Sequence, residues 1–327
     1  MSTYLITGGA GFIGSHLADA LVNAGHDVTA IDDLSSGRLE NIAHLRDHAR
    51  FHFVRENAIT SAALPDLVDA SDAVFHFAAT VGVFNIIDSP VRTIVNNIDG
   101  TEAVLEAAAR KKRRVVLAST SEVYGKNTRA PFREDDDLLL GPSSKSRWSY
   151  AASKLIDEFL ALAYGHERGV PVVIARLFNT IGPRQVGDYG MVVPRMIRQA
   201  LEGRNLTVYG SGAQSRCFAY VSDIVEWLAR LAGREDARGE VFNLGNPREV
   251  TIAGLARMIM EATGAGVDIE YIPYERAYKP GFEDIERRVP DIAKVTALTG
   301  YRPRVDLEEA LRRMVEAETA AGVIAKA

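Results

Sequence analysis

Gly8-Gly9-Ala10-Gly11-Phe12-Ile13-Gly14 is a G-x-x-G-x-x-G run, and its flanks limit what the chain can fold into more than any other feature. Before it stands a short β-prone run, Tyr4-Leu5-Ile6-Thr7. After it, Phe12, Ile13, Leu17, Leu21 and Val22 repeat at close to helical spacing as far as Asn23. Gly25 can end that helix in a left-handed conformation. Asp27-Val28-Thr29-Ala30-Ile31 then reads as a second strand, running into Asp32-Asp33. Glycines between a strand and a helix allow a sharp turn and bring the backbone close to an anion, which the first amides of the helix face. A lone glycine triplet says little, but one set between a strand and a helix and followed by an acid-ended strand predicts a dinucleotide site. Asp32 at the strand tip can accept from ribose hydroxyls and repels a 2′-phosphate, so the expected cofactor is NAD, held by Gly8, Gly11, Phe12, Ile13, Gly14 and Asp32.

The alternation continues. Ala73-Val74-Phe75-His76-Phe77 predicts a buried strand, Gly100–Lys112 a helix, Arg114–Ala118 a strand leading into Ser119-Thr120-Ser121, Tyr150–Glu167 a helix and Val170–Arg176 a strand. Strands that alternate with helices predict an α/β fold, a doubly wound parallel sheet of the Rossmann type covered on both faces. After Asn179 glycine, proline and arginine become frequent. Short helices near 191–202, 222–233 and 251–264, with a late strand at Glu240–Leu244, predict a smaller C-terminal α/β substrate domain. The expected division is 1–179, joined by a returning segment near 240–247, and 180–327. Leu307–Ala327 reads as an amphipathic packing helix.

Composition narrows the function. Among 327 residues, 38 basic and 43 acidic side chains leave a net charge of −5, the wrong sign for a nucleic-acid binder. The single cysteine, Cys217, excludes an internal disulfide and a cysteine zinc site, and it reads as a small apolar filler. No apolar run reaches the ~18–20 residues that span a bilayer, and Met1–Thr7 lacks the features of a signal peptide. The expectation is a cytoplasmic protein with no metal, nucleic-acid or membrane partner.

Tyr150-Ala151-Ala152-Ser153-Lys154 sets a phenol and an ammonium at i and i+4 on one helix face. A free phenol, with a pKa of ~10, is a poor base at neutral pH. A neighbouring lysine and a positive nicotinamide ring favour the phenolate. Tyr150 can then take a hydroxyl proton as hydride leaves the same carbon. Ser119–Glu122 ends the preceding strand, and strand ends of such sheets face the ligand crevice. There Thr120 can bond the reacting hydroxyl, Ser121 lies beside it, and Glu122 can exchange a proton with a neighbouring carbon. His76 reads as a structural residue under the cofactor. Asn179 can donate its amide to a phosphate, and guanidinium forks suit phosphate oxygens.

The glycine spacing and the Tyr-x-x-x-Lys pair resemble the short-chain dehydrogenase/reductase superfamily. Further blocks extend the resemblance over nearly the whole chain: Thr120-Ser121-Glu122-Val123-Tyr124-Gly125, Gly141-Pro142 with Lys145-x-Arg147-Trp148-Ser149-Tyr150, Tyr220-Val221-Ser222-Asp223, Asn243–Pro247, Gly281–Asp284 and Arg288-Val289-Pro290-Asp291-Ile292. Together they look like the extended members that modify nucleotide sugars, closest to UDP-glucuronate decarboxylases and UDP-apiose/xylose synthases.

The resemblance implies that Tyr150 takes the proton of the sugar 4-hydroxyl while hydride passes to NAD. A C6 carboxylate then becomes part of a β-keto acid that loses carbon dioxide. It assigns proton handling and substrate charge to Glu122 and Arg288, diphosphate binding to Asn179 and Arg216, and cofactor contacts to Asn57, Ala58, Ala78, Tyr150 and Lys154. Arg287, Arg195 and Arg198 read as surface. The resemblance also implies a homodimer joined by the helices near 100–112 and 150–167.

One position departs from the pattern: in Val81–Pro90, Ile86 stands where these decarboxylases carry a tyrosine. That loop looks more like a 4-epimerase, so 4-epimerisation of an NDP-hexose or hexuronate is the second reading. A 4,6-dehydratase is the third, and an NAD-binding regulator without turnover is the reading outside enzymes.

Overall fold

The computed structural model describes residues 1–80, 89–187, 191–277, 287–320 and 322. Its centre is a seven-stranded sheet. Six of the strands are β1 (Thr3–Thr7), β2 (Asp27–Ile31), β3 (Phe51–Val54), β4 (Ala73–His76), β5 (Arg114–Thr120) and β6 (Val172–Leu177). The seventh is Glu240–Leu244, on the edge beside β6. From that edge the order is Glu240–Leu244, β6, β5, β4, β1, β2, β3, with every neighbour parallel. Chain order reverses between β1 and β4, and at such a point a ligand crevice opens outside the carboxyl ends of the strands.

The period-two alternation of the strands fills two cores. Tyr4, Ile6, Phe75, Val116 and Val173 point to one face, where α1 (Phe12–Asn23) and the helix Val221–Ala232 cover them with Leu17, Leu21, Trp227 and Leu228. Leu5, Val74, Val115, Leu117 and Ile174 point to the other. There α2 (Leu64–Asp69), α3 (Pro90–Ala109) and α4 (Ser149–Arg168) supply Leu64, Val68, Val104, Leu105 and Ala161. Both faces are dry, which explains the apolar runs in the central strands.

The sheet and its two covering layers agree with the sequence reading. The helix expected to start at Gly100 instead starts at Pro90, and Gly100 is internal. Proline is a good first helical residue, and the polar stretch Asn96-Asn97 had masked the apolar period. β3 carries no clear sequence signal, because His52 interrupts its short apolar run.

Beyond residue 180, three short ladders form the wall opposite the glycine turn. Thr180–Ile181 pairs with Ala219–Tyr220, and Leu206–Tyr209 with Ile269–Ile272. Ser215–Cys217 lies between Glu249–Thr251 and Arg287–Arg288. The parallel register of the last ladder sets Arg288 directly beside Arg216. The C-terminal helix, Leu307–Ala320, buries Leu307, Leu311 and Met314 in the first core. Among the described residues, no helix is long and apolar enough to cross a membrane.

Candidate active site

The glycine turn is built for close approach. Gly8 has φ +72°, and a Cβ there would lie 2.8 Å from the amide nitrogen of Ala78. A Cβ on Gly14 would lie 2.3 Å from the carbonyl oxygen of Gly8. The turn and the first turn of α1 are therefore in contact, and only hydrogen fits between them. Gly11 is the N-cap of α1 and brings no side chain to its first amides, which stay available for an anion. Replacing Gly14 by alanine is expected to abolish detectable binding of NAD in calorimetry, because a backbone carbonyl rather than a movable side chain blocks the new methyl.

Asp32 accepts hydrogen bonds from the Ala10 amide (3.0 Å) and the Leu34 amide (2.8 Å). Burial pushes its carboxyl above the usual carboxylate range, against the pull of those amides. It braces the glycine turn. Asn57 donates to Asp33 (2.7 Å) and, with Ala58 and Ala78, lines the same cavity. His76 is fully buried beneath it, with Nδ1 2.7 Å from the Thr7 hydroxyl, and burial pushes its pKa down to about 3, so it stays neutral.

One cavity of ≈ 540 Å³ runs from this turn to the two paired arginines. All of Gly8, Gly11, Phe12, Ile13, Gly14, Asp32, Asn57, Ala58, Ala78, Thr120, Ser121, Glu122, Tyr150, Lys154, Asn179, Arg216 and Arg288 line it. Midway, the Tyr150 phenol is hydrogen-bonded to Thr120, whose hydroxyl also accepts from the Glu122 amide at 3.2 Å. Burial raises the pKa of the phenol, and the charges of Glu122 and Asp157 raise it further, so the resting phenol is protonated. Lys154 is buried, and its ammonium is 2.7 Å from the buried Asp157 carboxylate.

Glu122 sits among guanidiniums. Arg147 donates to it at 2.5 Å, and Arg288 lies 3.6 Å away. Burial raises its pKa, but these two cations outweigh burial and hold it below the usual range, with Arg216 adding to the field. Glu122 is therefore ionised at neutral pH.

The strand end that presents Thr120 and Glu122 is anchored from behind. Buried Glu158 on α4 accepts from Arg176 Nη2 (2.8 Å) and Nε (3.0 Å) and from the Ser119 hydroxyl. Arg176 also donates to the Tyr124 hydroxyl at 2.9 Å.

Some placements differ from expectation. Asn179 spends one amide hydrogen on the Cys217 carbonyl (2.9 Å), which ties β6 to the arginine ladder. Arg287 is exposed, as read from sequence, and pairs with Glu249. Arg195 is not a surface residue: its guanidinium packs 4.5 Å over the Tyr209 ring, and both line the cavity. Cys217 is buried, and burial pushes its thiol up to about 12, which suits an inert filler. Arg147 had no assigned role, although it precedes Tyr150 by three residues; its side chain is 4% exposed, a signal that only packing supplies. Ile86 and Gly281–Asp284 lie outside the described residues.

Residues 4–245 match the model of the NAD dependent epimerase/dehydratase family. The chain is 43% identical to the UDP-N-acetyl-alpha-D-glucosaminuronate decarboxylase of Bacillus cytotoxicus, over 95% of this chain and 96% of that one. It is 39% identical to UDP-glucuronic acid decarboxylase 1 of Xenopus tropicalis, over 95% of this chain and 70% of that one. Among solved structures, the UDP-glucuronic acid 4-epimerase of Bacillus cereus, in complex with UDP-glucuronic acid and NAD, superposes with a TM-score of 0.87 at 32% identity, covering 98% of this chain and 99% of that one.

Proposed function

The chain belongs to the NAD dependent epimerase/dehydratase family, and on that premise we propose that it decarboxylates a UDP-linked hexuronate, UDP-glucuronate or its 2-acetamido analogue, through a 4-keto intermediate. It is an NAD-dependent enzyme. Residues 1–179 with 240–247 form its cofactor half, and 180–327 its nucleotide-sugar half.

The observation that carries the reading is the cationic end of the cavity. Arg147, Arg288 and Arg216 converge on the Glu122 carboxylate, within reach of Tyr150 and Thr120. Guanidinium forks suit a carboxylate, so Arg147 and Arg288 at this end of the cavity offer a sugar carboxylate a substitute for the tyrosine that Ile86 replaces.

The glycine cradle, the uncapped start of α1 and Asp32 fit NAD. When bound, NAD supplies acceptance of hydride from the sugar C4 and its later return. Thr120 holds the 4-hydroxyl; Lys154, with the positive ring of bound NAD, would bring Tyr150 from its resting phenol to the phenolate, which would accept the hydroxyl proton. The ketone at C4 makes the C6 carboxylate a β-keto acid. The carbon–carbon bond breaks, carbon dioxide leaves, and the electron pair passes to the C4 oxygen, which Tyr150 can reprotonate. Glu122, held ionised, can pick up a proton from solvent and deliver it to C5, while the enol returns its oxygen-bound proton to Tyr150 and the C4 ketone re-forms. Arg216 and Asn179 face the diphosphate.

Incubation with UDP-glucuronate or UDP-N-acetylglucosaminuronate and NAD, followed by mass spectrometry and NMR of the sugar ring, tests the reading. Loss of carbon dioxide supports it. An unchanged mass with C4 inverted overturns it in favour of the second reading, 4-epimerisation, which the resemblance to the Bacillus cereus enzyme favours.

The assembly is a cytoplasmic homodimer. Val91 and Val95 on α3, and Ile156 and Phe159 on α4, are exposed at i, i+4 and i, i+3 spacings on adjacent helices. These make an apolar stripe of the kind a second copy covers. Phe159 is 65% exposed, and Phe159→Glu is expected to convert the dimer to a monomer in sedimentation velocity, with the fold intact by circular dichroism.

A further inference from the structure

Tyr150, Lys154 and Asp157 stand at i, i+4 and i+7 of α4, so the helical repeat carries all three to one face. The Lys154 ammonium is 2.7 Å from the Asp157 carboxylate, and the two side chains are 3% and 0% exposed. Taking two charges out of water is costly, and apolar side chains of equal volume usually serve stability as well or better. The neighbouring face of α4 does pack on apolar partners, with Ala161 in the second core. Packing alone therefore gives no reason for a carboxylate at 157.

We propose that Asp157 is a positioning residue, which fixes the Lys154 ammonium and sets the pH range over which Tyr150 works as a base. The inference rests on the reading of Tyr150 and Lys154 given above. The charges that meet at this point come from five elements. On Tyr150 act Glu122 and Asp157, which favour the phenol, and Arg147, which opposes them, with Thr120 as hydrogen-bond partner. Asp157 itself faces Lys154 and Glu158 on its own helix and Thr101 on α3. Lys154 faces neutral His76 on β4. Glu122 is already matched by Arg147 and Arg288, and Glu158 by Arg176 on β6. Asp157 is matched by Lys154, the same cation that has to stabilise a phenolate at Tyr150. The carboxylate thus restrains the cation in space and offsets part of its field.

The sign follows. Removing the negative charge at 157 lets the proton leave Tyr150 at lower pH, so the acid limb of turnover against pH moves down, by about one unit for a neighbouring charge lost in a buried site. Losing the clamp also lowers the plateau. The experiment is kcat against pH for the full-length enzyme with NAD and the active UDP-hexuronate, for wild type, D157N, D157E and Y150F.

The expected result is a displaced acid limb and a lower plateau for D157N. For D157E, which keeps the charge, the limb stays at its wild-type position. A D157N rate that is lower at every pH with the limb unmoved overturns the inference. So does a displaced limb in D157E, which decides the matter should D157N not fold. Full turnover in Y150F sinks the parent reading and this one together, whereas an inactive Y150F with an unmoved D157N limb sinks this one alone.

Discussion

Replacing Tyr150 by phenylalanine is expected to lower turnover by about 10²–10⁴-fold, the range that a positioned acid–base group contributes. The change removes one oxygen from a site otherwise left in place. Lys154 keeps its 2.7 Å partner Asp157, and Thr120 keeps its bond from the Glu122 amide. The glycine cradle lies on other elements, so NAD binding is expected to persist. Loss of turnover with retained NAD affinity and an unchanged melting temperature is therefore the signature. Retained turnover would remove Tyr150 from the mechanism.

Replacing Glu158 by alanine is expected to destabilise the fold by about 3–5 kcal/mol, the usual cost of leaving a buried charge without its partner. Arg176 and Glu158 are both nearly fully buried, and Arg176 meets Glu158 through Nε and Nη2 at once. Without the carboxylate, the guanidinium keeps only the Tyr124 hydroxyl and the Glu134 carbonyl, both at about 3 Å. A thermal midpoint lower by on the order of 10 °C checks this. Activity falls as well, because the same carboxylate receives the Ser119 hydroxyl and so holds the strand end that carries Thr120 and Glu122. A second change, Arg176→Met, is expected to recover part of the lost stability, because no unmatched charge then remains inside. A double variant as unstable as the sum of the singles would show that the pair is not coupled.

The glycine turn and its flanking strands and helix were legible because their requirements are local. A strand, a glycine turn, a helix and an acid-ended strand lie within thirty or so consecutive residues, and each demand falls on a neighbour: no Cβ at Gly8 and Gly14, a carboxylate at Asp32. Tyr150 and Lys154 were legible for the same reason, since one helix turn sets their spacing. The Pro90–Gly100 stretch of α3 was not legible, because polar Asn96 and Asn97 face inward there, where Asn97 receives the Thr80 amide (2.8 Å) and donates to Ser153 (3.2 Å).

Sequence by itself determined the doubly wound sheet, the place of the glycine turn and the spacing that sets Tyr150 and Lys154 on one helix face. Only the tertiary structure decided what surrounds them. Glu122, Arg147 and Arg288 come from three separate segments, and the sheet register that seats Arg288 beside Arg216 spans more than seventy residues of chain. Arg195 became a cavity residue by packing on Tyr209, and Lys154 a clamped cation by burial against Asp157. Backbone conformation depends on near neighbours and can be read from them. The field on an ionisable group depends on whichever charges packing brings within a few ångströms, and that distance is not written in the spacing of residues along the chain.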